Sequence, residues 1–171
     1  MKYILILFIS FTLSFASLDE INSFEADFTQ SVTDENNKVL SYSGSIMAAK
    51  PQNVMWDYEK PIKKNVYINT DNVTIIEPEI EQVIIKEIES NFNFFNMIKN
   101  AKKVKDNTFV ATYKESVFTI TTKNSFIKSI SYTDEFENKV VIVFDNQKQN
   151  ESINSNVFIP KIPTDFDIIK D

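Results

Sequence analysis

The sequence predicts a mainly β protein with a few helices, built on an antiparallel sheet that curls into a barrel or a sandwich. Three observations predict it. Apolar and polar residues alternate in many short runs. Turns rich in Asn and Asp separate those runs at regular spacing. One internal segment breaks the rhythm and switches to helical spacing.

The elements follow in chain order. Lys2 precedes an uncharged apolar run from Tyr3 to Leu13, and Ser14-Phe15-Ala16 supplies the small residues a signal peptidase reads. Residues 1–16 therefore read as a secretory signal peptide cut after Ala16. The run is shorter than the ~20 residues that span a bilayer. The remainder, residues 17–171, suits one domain with a core of its own. Ser17-Leu18-Asp19-Glu20 has the pattern of a capping box and opens a short helix to about Ser23. Phe24, Ala26, Phe28 and Val32, with Gln30 among them, then line one face of a strand.

Residues 34–38 turn the chain. A second strand over Val39–Ala49 puts Leu40, Tyr42, Gly44, Ile46 and Ala48 on one face, and Val54, Trp56 and Tyr58 alternate in a third until Pro61 stops it. Further strands are expected at Lys64–Asn69, Val73–Glu77, Gln82–Ile88, Thr108–Tyr113, Ser116–Thr122, Ile127–Thr133, Lys139–Asp145 and Val157–Ile159. Asn91 to Lys103 is the exception. Phe92, Phe95, Met97 or Ile98, and Ala101 recur at helical spacing, and lysines favour its C-terminal end. With a single Gly in the chain, the turns fall to Asn and Asp, which tolerate left-handed backbone angles.

Composition excludes several functions. All 18 basic residues are Lys, and loss of Lys2 with the leader takes the net charge from −6 to −7. An acidic chain without Arg does not suit nucleic acid. The absence of His removes the usual general base and the commonest metal ligand. There is no Cys, so stability must come from packing, and the position after the cleavage site is Ser17. A bacterial lipoprotein needs Cys there for lipid attachment, so the mature chain is expected to be soluble and unanchored. Glu77, Glu79 and Glu81 could suggest the paired acids of a glycosidase, but at two-residue spacing they share one solvent-facing strand face.

Several segments together resemble the periplasmic outer-membrane lipoprotein carriers, the LolA family. Phe24-x-Ala26-Asp27-Phe28-Thr29-Gln30 is similar to that family's opening strand. Gly44, then Lys50-Pro51-x4-Trp56-x-Tyr58-x2-Pro61, resembles its second and third strands. Glu77-Pro78-x-Ile80-x-Gln82-Val83, Phe95-x-Met97-Ile98 and Phe158-x3-Ile162-Pro163-x4-Ile168 resemble the next hairpin, a lid helix and the C-terminal strand. The resemblance spans nearly the whole mature chain.

It implies a half-open antiparallel β-barrel of about 11 strands with helices covering its mouth. It implies a periplasmic carrier, not an enzyme, acting as a monomer without cofactor or metal. The cargo would be acylated lipoproteins, received from an inner-membrane ABC-type releasing complex and passed to an outer-membrane acceptor. Phe28, Met47, Val54, Trp56 and Tyr58 would line the lipid cavity, with Phe95, Met97 and Ile98 under the lid; ordinary core packing is the alternative for each. Lys50 departs from the family, which often has an Arg here that hydrogen-bonds lid backbone to keep the empty cavity closed. Lys lacks the planar multi-donor fork, so its alternative reading is a solvated turn residue. An anchored outer-membrane receptor of similar fold is the second reading, disfavoured by Ser17. A generic periplasmic lipid-binding or sensing module is the third.

Overall fold

In a computed structural model, residues 18–88 and 93–170 are described. The expected signal peptide, Ser17 of the expected capping box, and the first two residues of the expected helix, Asn91 and Phe92, lie outside them. A 3-10 turn at Leu18–Glu20 leads into β1 (Ser23–Thr33), β2 (Val39–Ala49), β3 (Asn53–Lys60), β4 (Lys64–Ile68), β5 (Asn72–Glu77) and β6 (Gln82–Glu87). Helix α1 (Phe94–Lys99) follows, then β7 (Lys102–Lys105), β8 (Thr108–Tyr113), β9 (Ser116–Lys123), β10 (Phe126–Thr133), β11 (Lys139–Gln149) and β12 (Asp167–Lys170). All twelve strands form one open sheet, ordered β12-β6-β5-β4-β3-β2-β1-β11-β10-β9-β8-β7. Every pairing is antiparallel except that of β12 with β6.

The alternation read from the sequence explains the two faces of this sheet. On β1, Phe24, Ala26 and Phe28 are buried while Asp27 and Thr29 are exposed. Register carries that face across the sheet. Phe28 sits opposite Gly44 on β2 and opposite Phe144 on β11, and Ile142 sits opposite Ile130 on β10. The resulting inner face holds the main buried cluster. A smaller cluster of Tyr67, Ile76 and Val83 lies on the outer face, where Met55 joins Ile162 and Phe166 of the C-terminal segment.

The turns are made as the composition requires. The Asp34 carboxylate accepts from Asn36 N at 2.9 Å and Lys38 N at 2.8 Å. Asp134 does the same for Phe136 N and Asn138 N, both at 2.9 Å. Asn37, Asn107, Asn124, Asn146 and Asn150 adopt positive φ.

Some local expectations are corrected. The helix spans Phe94–Lys99 and not residues 91–103. It ends early because Lys102–Lys105 pairs with β8 across the turn at Asp106-Asn107, where Asn107 has φ 56°. Val157–Ile159 is not a strand; Ser155–Phe158 is a 3-10 turn, opened by the Asn154 side chain accepting from Asn156 N at 3.0 Å. The last strand is Asp167–Lys170 instead. Glu77, Glu79 and Glu81 do not share a strand face, since Pro78 starts a 3-10 turn that ends at Glu81 with φ 53°. Among the described residues no helix is long and apolar enough to cross a membrane.

Candidate functional site

The inner face of the sheet is the candidate site, and α1 is its roof. Only six residues long, the helix would not persist alone in water. Four of its side chains, Phe94, Phe95, Met97 and Ile98, are buried, and burying side chains of this kind is worth about 1.5–3 kcal/mol each. They join Phe24, Phe28, Ile46, Val54, Ile120 and Phe144 in one apolar cluster. Rings connect roof to floor: Phe94 lies 6.3 Å from Phe24, and Phe24 meets Phe144 edge-on at 5.2 Å.

Aromatic contact continues along the face away from α1. Phe28 meets Trp56 at 4.9 Å and Tyr58 at 5.0 Å, both edge-on. Tyr42 then meets Tyr58 at 5.9 Å. The Tyr58 hydroxyl donates to Gln30 Oε1 at 3.0 Å, and the Lys64 ammonium lies 4.6 Å from the centre of its ring. Burial above all, with the Tyr132 and Tyr42 phenols adding to it, pushes the Tyr58 hydroxyl up to about 12. Burial also raises Tyr132, helped by Asp134. The face thus grades from fully apolar under α1 to phenolic at the far end.

Of the eight cavity residues predicted from the sequence, seven come together here. Phe28, Val54, Phe95, Met97 and Ile98 are buried in the cluster, and Trp56 and Tyr58 pack against it half-buried. Met47 does not join them. Its neighbours Ile46 and Ala48 face inward, so strand alternation turns Met47 to the outer face, opposite Met55.

Lys50 contacts a different element from the one expected. Its backbone N donates to Asn22 O, and its ammonium to Asn22 Oδ1, both at 2.9 Å. It therefore ties the β2–β3 turn to the entry of β1. Asn93 makes the connection to α1, which the sequence reading missed. Its Oδ1 caps the helix by accepting from Asn96 N at 3.0 Å. Its Nδ2 donates to Pro51 O at 2.9 Å and to Gln52 Oε1 at 3.1 Å. One side chain thus both starts the roof and holds it to the β2–β3 turn. The signal that could have found it is the preference for Asn immediately before a helix.

Comparison with known proteins agrees with this arrangement. The model of the family described as outer membrane lipoprotein carrier protein LolA matches residues 19–123. The chain is 41% identical to the outer-membrane lipoprotein carrier protein of Campylobacter jejuni, over 99% of each chain. It is 34% identical to that of Helicobacter pylori (strain HPAG1), over 88% of this chain and 80% of the relative. Among solved structures, an uncharacterized conserved protein from Thermus thermophilus superposes with a TM-score of 0.54 at 11% identity, covering 90% of this chain and 93% of that one. A LolA superfamily protein from Nitrosomonas europaea superposes with a TM-score of 0.53 at 10% identity, covering 84% and 94%. At such low identities these two structures speak for the fold alone.

Proposed function

The chain belongs to the outer membrane lipoprotein carrier family LolA, and on that premise we propose that its inner face carries the acyl chains of lipoproteins through the periplasm. The protein is a lipoprotein carrier and not an enzyme. The single observation that supports this use of the face is its roof: a six-residue helix contributes four buried apolar side chains and covers a continuous aromatic floor.

The physical logic is exchange. An acyl chain moving from water onto an apolar face gains about 0.8 kcal/mol per CH₂, so one long chain gains on the order of 10 kcal/mol. Phe94, Phe95, Met97 and Ile98 cover the face and keep it out of water. Cargo replaces one apolar covering with another, so the opposing cost falls mainly on releasing α1 from its polar tethers. Met97 can adapt its unbranched side chain to cargo of varied shape. The hand-off needs no chemistry, only an acceptor that competes for the same chains.

In this reading the leader is cut after Ala16, and the mature chain is loaded by an inner-membrane ABC-type releasing complex and unloaded by an outer-membrane acceptor. The test is extraction and mass spectrometry of the protein purified from periplasm. Co-purifying triacylated lipoprotein is expected. Protein that is always free of lipid, and that takes up no acyl ligand in vitro, would refute the reading.

A further inference from the structure

The strand order sets five hairpins side by side along one rim of the sheet. In order they are the β5–β6, β3–β4, β1–β2, β10–β11 and β8–β9 connections. Neighbouring hairpins stand two strands apart, roughly 10 Å. Each carries a large apolar residue exposed at or beside its tip: Ile80, Ile62, Val39 with Leu40, Phe136 and Val117. Phe136 is 76% exposed and Ile80 63%. The turns at the opposite rim are residues 50–52, 69–71, 106–107 and 124–125, and only Val104 and Phe126 are such residues beside them. Isolated apolar residues on a surface need no explanation. An exposed apolar residue at every one of five hairpins of one rim, three of them (Ile62, Ile80 and Phe136) within the connection itself, against two among four turns of the other and none within a turn, is a pattern tied to a side of the molecule.

Charge narrows what this rim meets. Residues 34–38, 59–63, 77–81, 114–115 and 134–139 hold ten carboxylates against five lysines. An anionic lipid surface would be repelled, and a second copy of the chain would bring the same sign. We propose that the hairpin rim is a docking face for a partner protein whose surface is basic and bears apolar sockets. The inference rests on the carrier reading and deepens it. The phenolic end of the inner face, with Tyr42, Tyr58 and the Phe118–Tyr132 pair at 4.9 Å, lies toward this rim. A partner docked here meets the face where cargo would emerge. Apolar anchors would set its residence time, and the carboxylates its rate of encounter.

The test uses the mature chain and four probes: inner- and outer-membrane vesicles of the source cell, the same vesicles shaved by protease, liposomes of phosphatidylethanolamine and phosphatidylglycerol, and a fluorescent fatty acid. Wild type should cofloat with at least one kind of intact vesicle, more weakly as salt rises. It should not bind shaved vesicles or liposomes. The triple variant Ile62→Ser, Ile80→Ser, Phe136→Ser should bind intact vesicles at least tenfold more weakly. So should Glu79→Lys, Glu81→Lys, Glu135→Lys, while Phe126→Ser on the other rim binds as wild type. All variants should take up the fatty acid normally. Docking unchanged in both rim variants, wild-type binding to liposomes or shaved vesicles equal to that on intact ones, or no wild-type docking to any vesicle would overturn the proposal. Failure of wild type to take up fatty acid would instead count against the carrier reading itself.

Discussion

At the scale of the residue, a few side chains carry more than their size suggests. Gly44 is the only glycine, and a Cβ there would lie 1.8 Å from the Asp57 carbonyl oxygen. The β2–β3 register shifts at that point, beside Tyr58. Gly44→Ala should therefore destabilise the protein by about 2 kcal/mol, the cost of forcing backbone apart in a packed sheet, measurable by urea unfolding. Asn93→Ala removes a cap, worth ~1 kcal/mol, together with both bonds to the β2–β3 turn. Hydrogen exchange of α1 should accelerate while the β1–β11 core stays protected, whereas Lys50→Ala should leave α1 nearly unchanged. Tyr58 gives a pH signature. Its folded value of about 12 lies above the ~10 of an unfolded chain, so the unfolded state loses its proton first as pH rises. The contribution is complete below about pH 10 and is lost between about pH 10 and 12. Urea midpoints should fall across that window, and Tyr58→Phe should weaken the fall.

At the scale of the element, what the sequence could show depended on range. Strands β1 to β6 and β8 to β11 were legible because alternation is local and one face of each is buried. The edge strands were illegible for opposite reasons. Lys102-Lys103-Val104-Lys105 has no alternation to detect, since all four residues are exposed on the sheet's rim, where lysines also discourage further pairing. Asp167–Lys170 is placed by parallel pairing with a strand about eighty residues earlier, which periodicity cannot report. The helix was visible through Phe95, Met97 and Ile98, but its length was set by tertiary competition from β8. Met47 was expected in the cavity only through the family resemblance, whereas the alternation that puts Ile46 and Ala48 on the inner face already turns it to the other side. The roof offers a spectroscopic prediction. Trp56 is the sole tryptophan and packs edge-on against Phe28 within the cluster that α1 closes. Uptake of a fatty acid should shift its emission, and Phe95→Ala should speed that shift by loosening the roof. Emission indifferent to bound fatty acid would place the ligand elsewhere.

At the scale of the whole molecule, one open sheet presents an inner face roofed by a small apolar helix and a hairpin rim of apolar tips among carboxylates. Burial under α1 and gradation toward phenols at the rim give the face a direction, which a filled barrel core would not need. The most direct measurement of the carrier role follows from this. Inner-membrane vesicles holding a labelled triacylated lipoprotein are incubated with the mature protein and ATP, then sedimented, and the supernatant is mixed with outer-membrane vesicles. A carrier leaves labelled lipoprotein in the supernatant as a soluble complex and delivers it to the outer membrane. Label that stays with the inner membrane whether or not the protein is added would contradict the carrier role.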